Sequence, residues 1–187
     1  VVISAVTADV IAHYFEGDSR TFLTPEYTMQ SPWELLLYTL MGFIAALASV
    51  GFSRLLYFSE DIWNSIRVPE PVKPLLGGIL LGLLGIVSYQ IDGFPRVFGV
   101  GYETIENTLF SQLTLQVTFG LLLLKLLATT LTLGSGGSGG IFAPSLFMGA
   151  MLGASFGQIA HNLFPEIVAP SGAYALVGMA AFFGGAA

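Results

Sequence analysis

The chain has 187 residues, 54% of them hydrophobic and 10% charged, with a formal net charge of -6, six Lys and Arg in all and no cysteine. A mean hydropathy of +0.78 is that of a membrane chain and excludes an ordinary soluble domain. The lack of thiols excludes disulfides and thiolate metal sites, and a few scattered basic residues in an acidic chain give no basis for nucleic-acid binding.

In chain order, Val1 to about Tyr14 reads as the tail of an apolar helix. Asp9 and His13, one turn apart, read as a helix end near the interface rather than a proton relay. Glu16 to Gln30, with Gly17, Asp18 and Pro25, is a polar loop. Ser31-Pro32-Trp33-Glu34 starts a helix, with Ser as N-cap, Pro at the first position and Glu three residues after the Ser. That helix runs to about Ser59, and at ~1.5 Å per residue it outreaches a ~30 Å hydrocarbon core, so it tilts or emerges. Trp33 and Trp63 lie near its two ends, where interfacial anchors sit. Glu60 to Pro74 is a polar connection. A second helix runs from Pro74 to about Gln90, and its Gly77, Gly78, Gly82 and Gly85 let membrane helices approach closely. Asp92 to Tyr102 is a loop, Glu103 to Phe110 a short helix whose acids Glu103 and Glu106 suit its positive end, and Val117 to Leu133 a transmembrane segment.

Lys125 is the one basic residue well inside an apolar segment, and two readings are open to it. It raises the local potential for anions, or it is structural, snorkelling to an interface or pairing with a carboxylate; the structural reading is preferred. Arg54, Arg67 and Lys73 make the connection around residues 60–74 the most basic, which places it in the cytoplasm and the loops 15–30 and 91–102 outside.

Gly134-Ser-Gly-Gly-Ser-Gly-Gly-Ile-Phe-Ala-Pro144 is a glycine-rich break between two segments apolar enough to lie in hydrocarbon. Irregular backbone at membrane depth is tolerated only where protein buries it or where it lines a wet cavity; a passive hinge is the plain alternative. Pro144 falls in the first turn of the next helix, which leaves the amides of Ile141, Phe142 and Ala143 free. The first N–H groups of a helix lack internal partners, and aligned peptide dipoles put roughly half a positive charge there. An anion is the natural guest. No cationic side chain lies between Gly134 and Gly157, so backbone dipoles would attract a small anion without trapping it.

Beyond the break, Ser145, Gly149, Gly153 and Gly157 recur every four residues and leave one helix face almost bare, against which another helix must pack. His161, late in that helix, meets its negative dipole end and reads as structural. The helix ends before Pro165, and Ser171 to about Phe183 forms the next. The total is about six membrane segments, several half as long as a clean span, a pattern that points to an ion or substrate site built from broken helices. The glycine run lacks the Lys-Ser/Thr ending of a phosphate loop.

Gly140-Ile-Phe-Ala-Pro144, preceded by the serine-glycine run with Ser138 and Gly139 and followed by Ser145-Leu-Phe-Met-Gly-Ala-Met-Leu-Gly-Ala-Ser-Phe-Gly157, resembles the GxFxP motif and next helix of the CLC family of chloride channels and proton-coupled chloride exchangers. The similarity of organisation extends over most of the chain. The resemblance implies an all-α membrane fold of tilted and broken transmembrane helices, part of an inverted-repeat architecture. Residues 1–30 would be the last helix of the first repeat and an outer loop, and residues 31–187 most of the second repeat, with the filter loop at 134–144. It implies a multi-pass integral membrane protein that is not an enzyme, needs no cofactor or metal, and transports chloride or a similar anion as channel or proton-coupled exchanger. Gly140, Ile141, Phe142 and Ala143 would bind the anion, the amides of Ile141 and Phe142 coordinating it, with Ser138, Gly139 and Pro144 shaping the loop. The partners implied are the anion, protons, the lipid bilayer and a second copy in a homodimer, whose interface would hold the helix ending near Tyr14.

Both chain ends read as cuts in a longer protein. The family's GSGIP serine loop, its GREGP loop with the gating glutamate, the internal proton-transfer glutamate and the late pore tyrosine have no matching positions, so channel against exchanger and the choice of anion stay open. Two other readings stand beside anion transport. A secondary transporter of an anionic organic substrate predicts a roomier pocket with an Arg or Lys near the break, and a non-transporting membrane scaffold would use its glycines for packing alone.

Overall fold

Long apolar runs punctuated by Gly, Pro and short polar stretches fold as helices joined by tight connections. The computed structural model describes residues 2–17 and 23–186. Among these the elements are α1 (Val2–Glu16), α2 (Glu34–Ser65), α3 (Val72–Asp92), α4 (Tyr102–Leu109), α5 (Leu115–Gly134), α6 (Phe142–Leu163) and α7 (Ser171–Ala186), with no strand. The fold is all-α. Among the described residues four helices, α2, α3, α5 and α6, are long and apolar enough to cross a membrane; α1 and α7, with 15 and 16 residues, are shorter, in keeping with segments of unequal length. Asp18 and Arg20 lie outside the described residues, as does the side chain of Asp9.

Helix α2 continues to Ser65, past the expected end near Ser59, because nothing in Glu60–Ser65 breaks a helix and its polar residues are at home in water. Its 32 residues span ~48 Å at ~1.5 Å each. Trp33 is exposed, but Trp63 is buried, so only the first of the two tryptophans stands where an interfacial anchor would. Helix α3 begins at Val72, which leaves Pro74 within its first turn, where the missing N–H is harmless.

The core is centred on α6. Phe147 and Met151 pack with Ile105, Leu109, Leu121 and Met179, and Met148 packs with Met41, Phe52 and Phe182. Helix α6 packs most extensively on α7. A Cβ added at Gly149 would lie 2.5 Å from Gly178 O, at Gly153 2.8 Å from the carbonyl carbon of Tyr174, and at Gly157 2.9 Å from Ser171 Cα. Two backbones therefore touch along three turns, and the attraction is close dispersion contact that only missing side chains permit. The α3 glycines divide. Gly77 lies against Ser135 and Gly85 against the Phe98 ring, whereas Gly78 and Gly82 meet nothing within 4 Å.

The start of α2 differs from a simple capping box. Pro32 and Trp33 already form a turn, closed by the Glu34 N–H on Ser31 O at 3.1 Å, so the Glu34 carboxylate reaches one residue further back. It accepts the Gln30 N–H at 2.9 Å with one oxygen and the Ala169 N–H with the other. Glu34 is fully buried and fastens the connection before α7 to the start of α2. Nearby, the Tyr27 hydroxyl donates to Leu109 O, the Gly172 N–H donates to Ser111 Oγ at 3.1 Å, and His161 Nδ1 lies 3.3 Å from Val168 O.

Two outcomes test this packing in the full-length protein. Gly153→Val should lower unfolding free energy by about 2 kcal/mol or more, since overpacking costs about 1–3 kcal/mol, whereas Gly82→Ala should leave thermal melting in detergent unchanged or slightly raised. Glu34→Ala should cost about 3 kcal/mol, because the buried Ala169 amide and the Gln30 amide both lose a charged acceptor, and Glu34→Gln should cost less.

Candidate functional site

The glycine-rich break starts where α5 runs out of helix. Gly134 is pressed against Ser59 of α2, whose Oγ donates to Thr130 O at 2.8 Å. The next amides fold back onto α5: Ser135 N–H donates to Leu131 O (3.1 Å), Gly136 N–H to Leu133 O (3.0 Å) and Gly137 N–H to Thr132 O (2.9 Å). Gly136 has φ +85°, the left-handed position that ends many helices. A Cβ at Gly137 would stand 2.7 Å from Thr132 O, and one at Gly139 3.1 Å from Leu133 Cδ2. The run is a built turn, not a linker.

Gly140 is different. A Cβ there meets nothing within 4 Å, and its φ is not positive, so neither packing nor backbone conformation explains its glycine. From Ser138 to Ala143 no amide meets an acceptor among the described residues; the first bond is Ser145 N–H to Ile141 O at 3.0 Å. Helix α6 begins at Phe142 with no side-chain cap, and the Ser145 hydroxyl is spent on Phe142 O at 2.7 Å. Free N–H groups and the positive dipole end of a 22-residue helix thus meet at one turn.

That turn lines a cavity of about 490 Å³. Ser138, Gly139, Gly140, Phe142, Ala143 and Pro144 form one wall; Lys125, Thr129 and Thr132 of α5 and residues 97–100 form the others. Ile141 lies apart from them, in the wall of a second recess of about 260 Å³ with Ser53, Tyr57 and Glu60. The Phe142 ring meets Phe183 edge-on, 4.9 Å between centroids. Gly149, Gly153 and Gly157 lie away from the cavity, on the α7 seam.

Lys125 takes neither of its two expected structural forms. It is 3% exposed, and among the described residues no carboxylate pairs with it. Its Nζ donates to Val97 O at 3.0 Å and Gly99 O at 2.6 Å and stands 4.8 Å from the centroid of the Phe147 ring. The 97–100 segment folds over α5 and supplies carbonyls where a carboxylate was expected. Residues 134–157 contain no cation, yet the fold brings one to the same cavity, so attraction by backbone dipoles alone does not describe the site.

Thr129 and Thr132 are the lining residues that motif reading missed. With Lys125 they stand at i, i+4 and i+7, a polar stripe in an apolar helix that helical phase marks out. Their hydroxyls donate to Lys125 O (2.8 Å) and Ala128 O (2.7 Å), so those protons are spent within α5. No carboxylate is among the described residues of the wall. Free amides, one ammonium and apolar side chains make a recess suited to a small anion.

The profile of a family described as voltage gated chloride channel matches residues 1–187. Among named proteins, the chain is 34% identical over 180 residues to a ClcB-like protein of Ralstonia nicotianae, covering 96% of this chain and 41% of that one. It is 32% identical over 203 residues to chloride channel protein CLC-e of Arabidopsis thaliana, covering 99% of this chain and 28% of that one. It is 28% identical over 183 residues to the H(+)/Cl(-) exchange transporter ClcA of Vibrio campbellii, covering 98% and 39%. The chain therefore spans well under half the length of these relatives.

Proposed function

The chain belongs to the voltage gated chloride channel family and to an integral multi-pass membrane protein, and on that premise we propose that it supplies one wall of an anion pathway, in which the unpaired amides at the start of α6 hold chloride or a similar small anion. The observation that carries this reading is the run of free amides from Ser138 to Ala143 beside the 490 Å³ cavity, together with a Gly140 that has no steric reason to be glycine. A missing Cβ leaves the anion room to approach main-chain N–H groups, which bind it by dipoles fixed in place before it arrives. The role is transport rather than catalysis, as channel or proton-coupled exchanger; two relatives carry those two names.

Residues 1–30 and 31–187 are read as the end of one repeat and most of its inverted partner. Helix α1 exposes Val6, Val10 and Tyr14 along one face; in a homodimer that face would meet the second subunit, and the outer faces of α2 and α3 would meet lipid. Because Lys125 lines the cavity, a carrier of a small organic anion is the second reading, and competition separates the two.

The test uses the full-length protein in liposomes. Wild type should give chloride flux, and bromide soaked into crystals should appear against the amides of Ile141 and Phe142. Gly140→Ala should weaken chloride binding about tenfold, the loss of one hydrogen bond to an ion at about 1.4 kcal/mol per decade, with thermal melting unchanged. Absence of wild-type chloride flux, or unaltered binding in Gly140→Ala, overturns the filter assignment; flux of a small carboxylate that chloride fails to inhibit selects the organic-anion carrier.

A further inference from the structure

We propose that Lys125 sets the sign of the potential in the cavity at the α6 N-terminus, acting as a positioning residue for the carbonyls of Val97 and Gly99 and as a fixed positive charge for a small anion. The inference rests on the anion reading given above and assigns that site its cationic member.

Across from the filter loop stands the segment of residues 97–100. Residues 97–101 are locked at three places: the Phe98 ring fills the space left by Gly85, Lys125 holds the carbonyls of Val97 and Gly99, and Gly101 at φ +83° sits so close to Phe147 that a Cβ would lie 2.6 Å from its ring. Val97 and Gly99 belong to a turn-and-bend segment, with Gly99 at φ +62°, and both of their carbonyls meet the Lys125 ammonium. Bare carbonyl oxygens facing a pore are the device that selects cations. Here both lone-pair ends point at one ammonium instead, and the wall turns from negative to positive.

The charge itself is left over. Two carbonyl dipoles and the face of the Phe147 ring at 4.8 Å solvate the ammonium without neutralising it, and among the described residues no acid pairs with it. An isolated charge in a low-dielectric wall costs several kcal/mol. If the segment needed only an anchor, an apolar side chain over Phe147 would be cheaper. A ligand of opposite sign in the cavity removes that cost. Thr129 and Thr132 have no free hydroxyl protons, so the donors left to such an anion are the amides at and just before the start of α6, the Ser138 hydroxyl and Lys125.

The experiment compares wild type, Lys125→Gln and Lys125→Arg of the full-length protein in liposomes under a potassium chloride gradient, reading chloride half-saturation, the chloride-over-potassium discrimination from the reversal potential, and thermal melting. Gln can still donate to the two carbonyls but carries no charge. Lys125→Gln should raise the half-saturation about tenfold and lose most of the discrimination, an effect of the size expected for one unscreened charge near the ion, while Lys125→Arg keeps both. Lys125→Gln with wild-type half-saturation and discrimination overturns the proposal, and so does slower flux with both unchanged, which is what a purely structural anchor gives. If Lys125→Gln does not fold, Lys125→Arg decides: retention of both readouts supports the charge, and their loss overturns it. A wild type without chloride flux sinks the anion reading itself, an outcome visible before any variant is made.

Discussion

Hydrocarbon offers no hydrogen-bond partner, and nearly every polar group in this chain is placed under that constraint. Hydroxyls inside the helices return to their own backbone: Thr118 to Thr114 O, Thr130 to Leu126 O, Ser155 to Met151 O. Of the three buried charges among the described residues, Lys73 pairs with Glu70, and the other two are met by main chain rather than by each other. Glu34 accepts two amide protons, and Lys125 gives two of its protons to carbonyls. Against that background the exceptions stand out. The Tyr174 hydroxyl is buried without a partner among the described residues, and the amides from Ser138 to Ala143 have none there either, but all of their residues save Ile141 line a cavity. Only the second exception has room for something to bind.

A site made of main-chain dipoles is only as good as the fixity of the helix that carries them. Helix α6 is held on both sides: Phe147, Met148 and Met151 are fully buried, and the seam of Gly149, Gly153 and Gly157 brings α7 to backbone contact. Most contacts along that seam are main chain against main chain, so the distance between the helices is set by hard contact. The glycine-rich turn is fixed from its other end by three amides on the last carbonyls of α5. The donors that the proposed reading gives to the anion are therefore fixed by the fold, and binding there would cost little reorganisation.

The glycine repertoire shows how one residue type serves several physical ends. Gly136 and Gly101 are needed for left-handed φ, Gly137 and Gly153 for close backbone approach. Gly140 meets neither need, and what remains is access to the amides. Composition alone cannot sort these uses, because each depends on what stands opposite the missing Cβ.

What could be read from the residues in order was whatever depends on near neighbours. The break at 134–144, the proline in the first turn of α6, the free amides beside it and the bare face at every fourth residue are all consequences of local chain geometry. The stripe of Lys125, Thr129 and Thr132 carries the same kind of local signal in its helical phase, but motif reading passed over the two threonines. The rest was decided by contacts between residues far apart in the chain. Glu34 looked like a local cap and proved to bind Ala169 as well; Trp63 looked like an interfacial anchor and is buried; Lys125 looked bound for water or an acid and instead holds the carbonyls of residues 97 and 99. Amino-acid order by itself determined which backbone would be bare and where a helix would begin, since sterics and hydrogen bonding within a few residues settle both. Which wall that backbone faces, and which charge shares its cavity, tertiary packing alone decided, because the partner of a long side chain is set by the path of the whole chain.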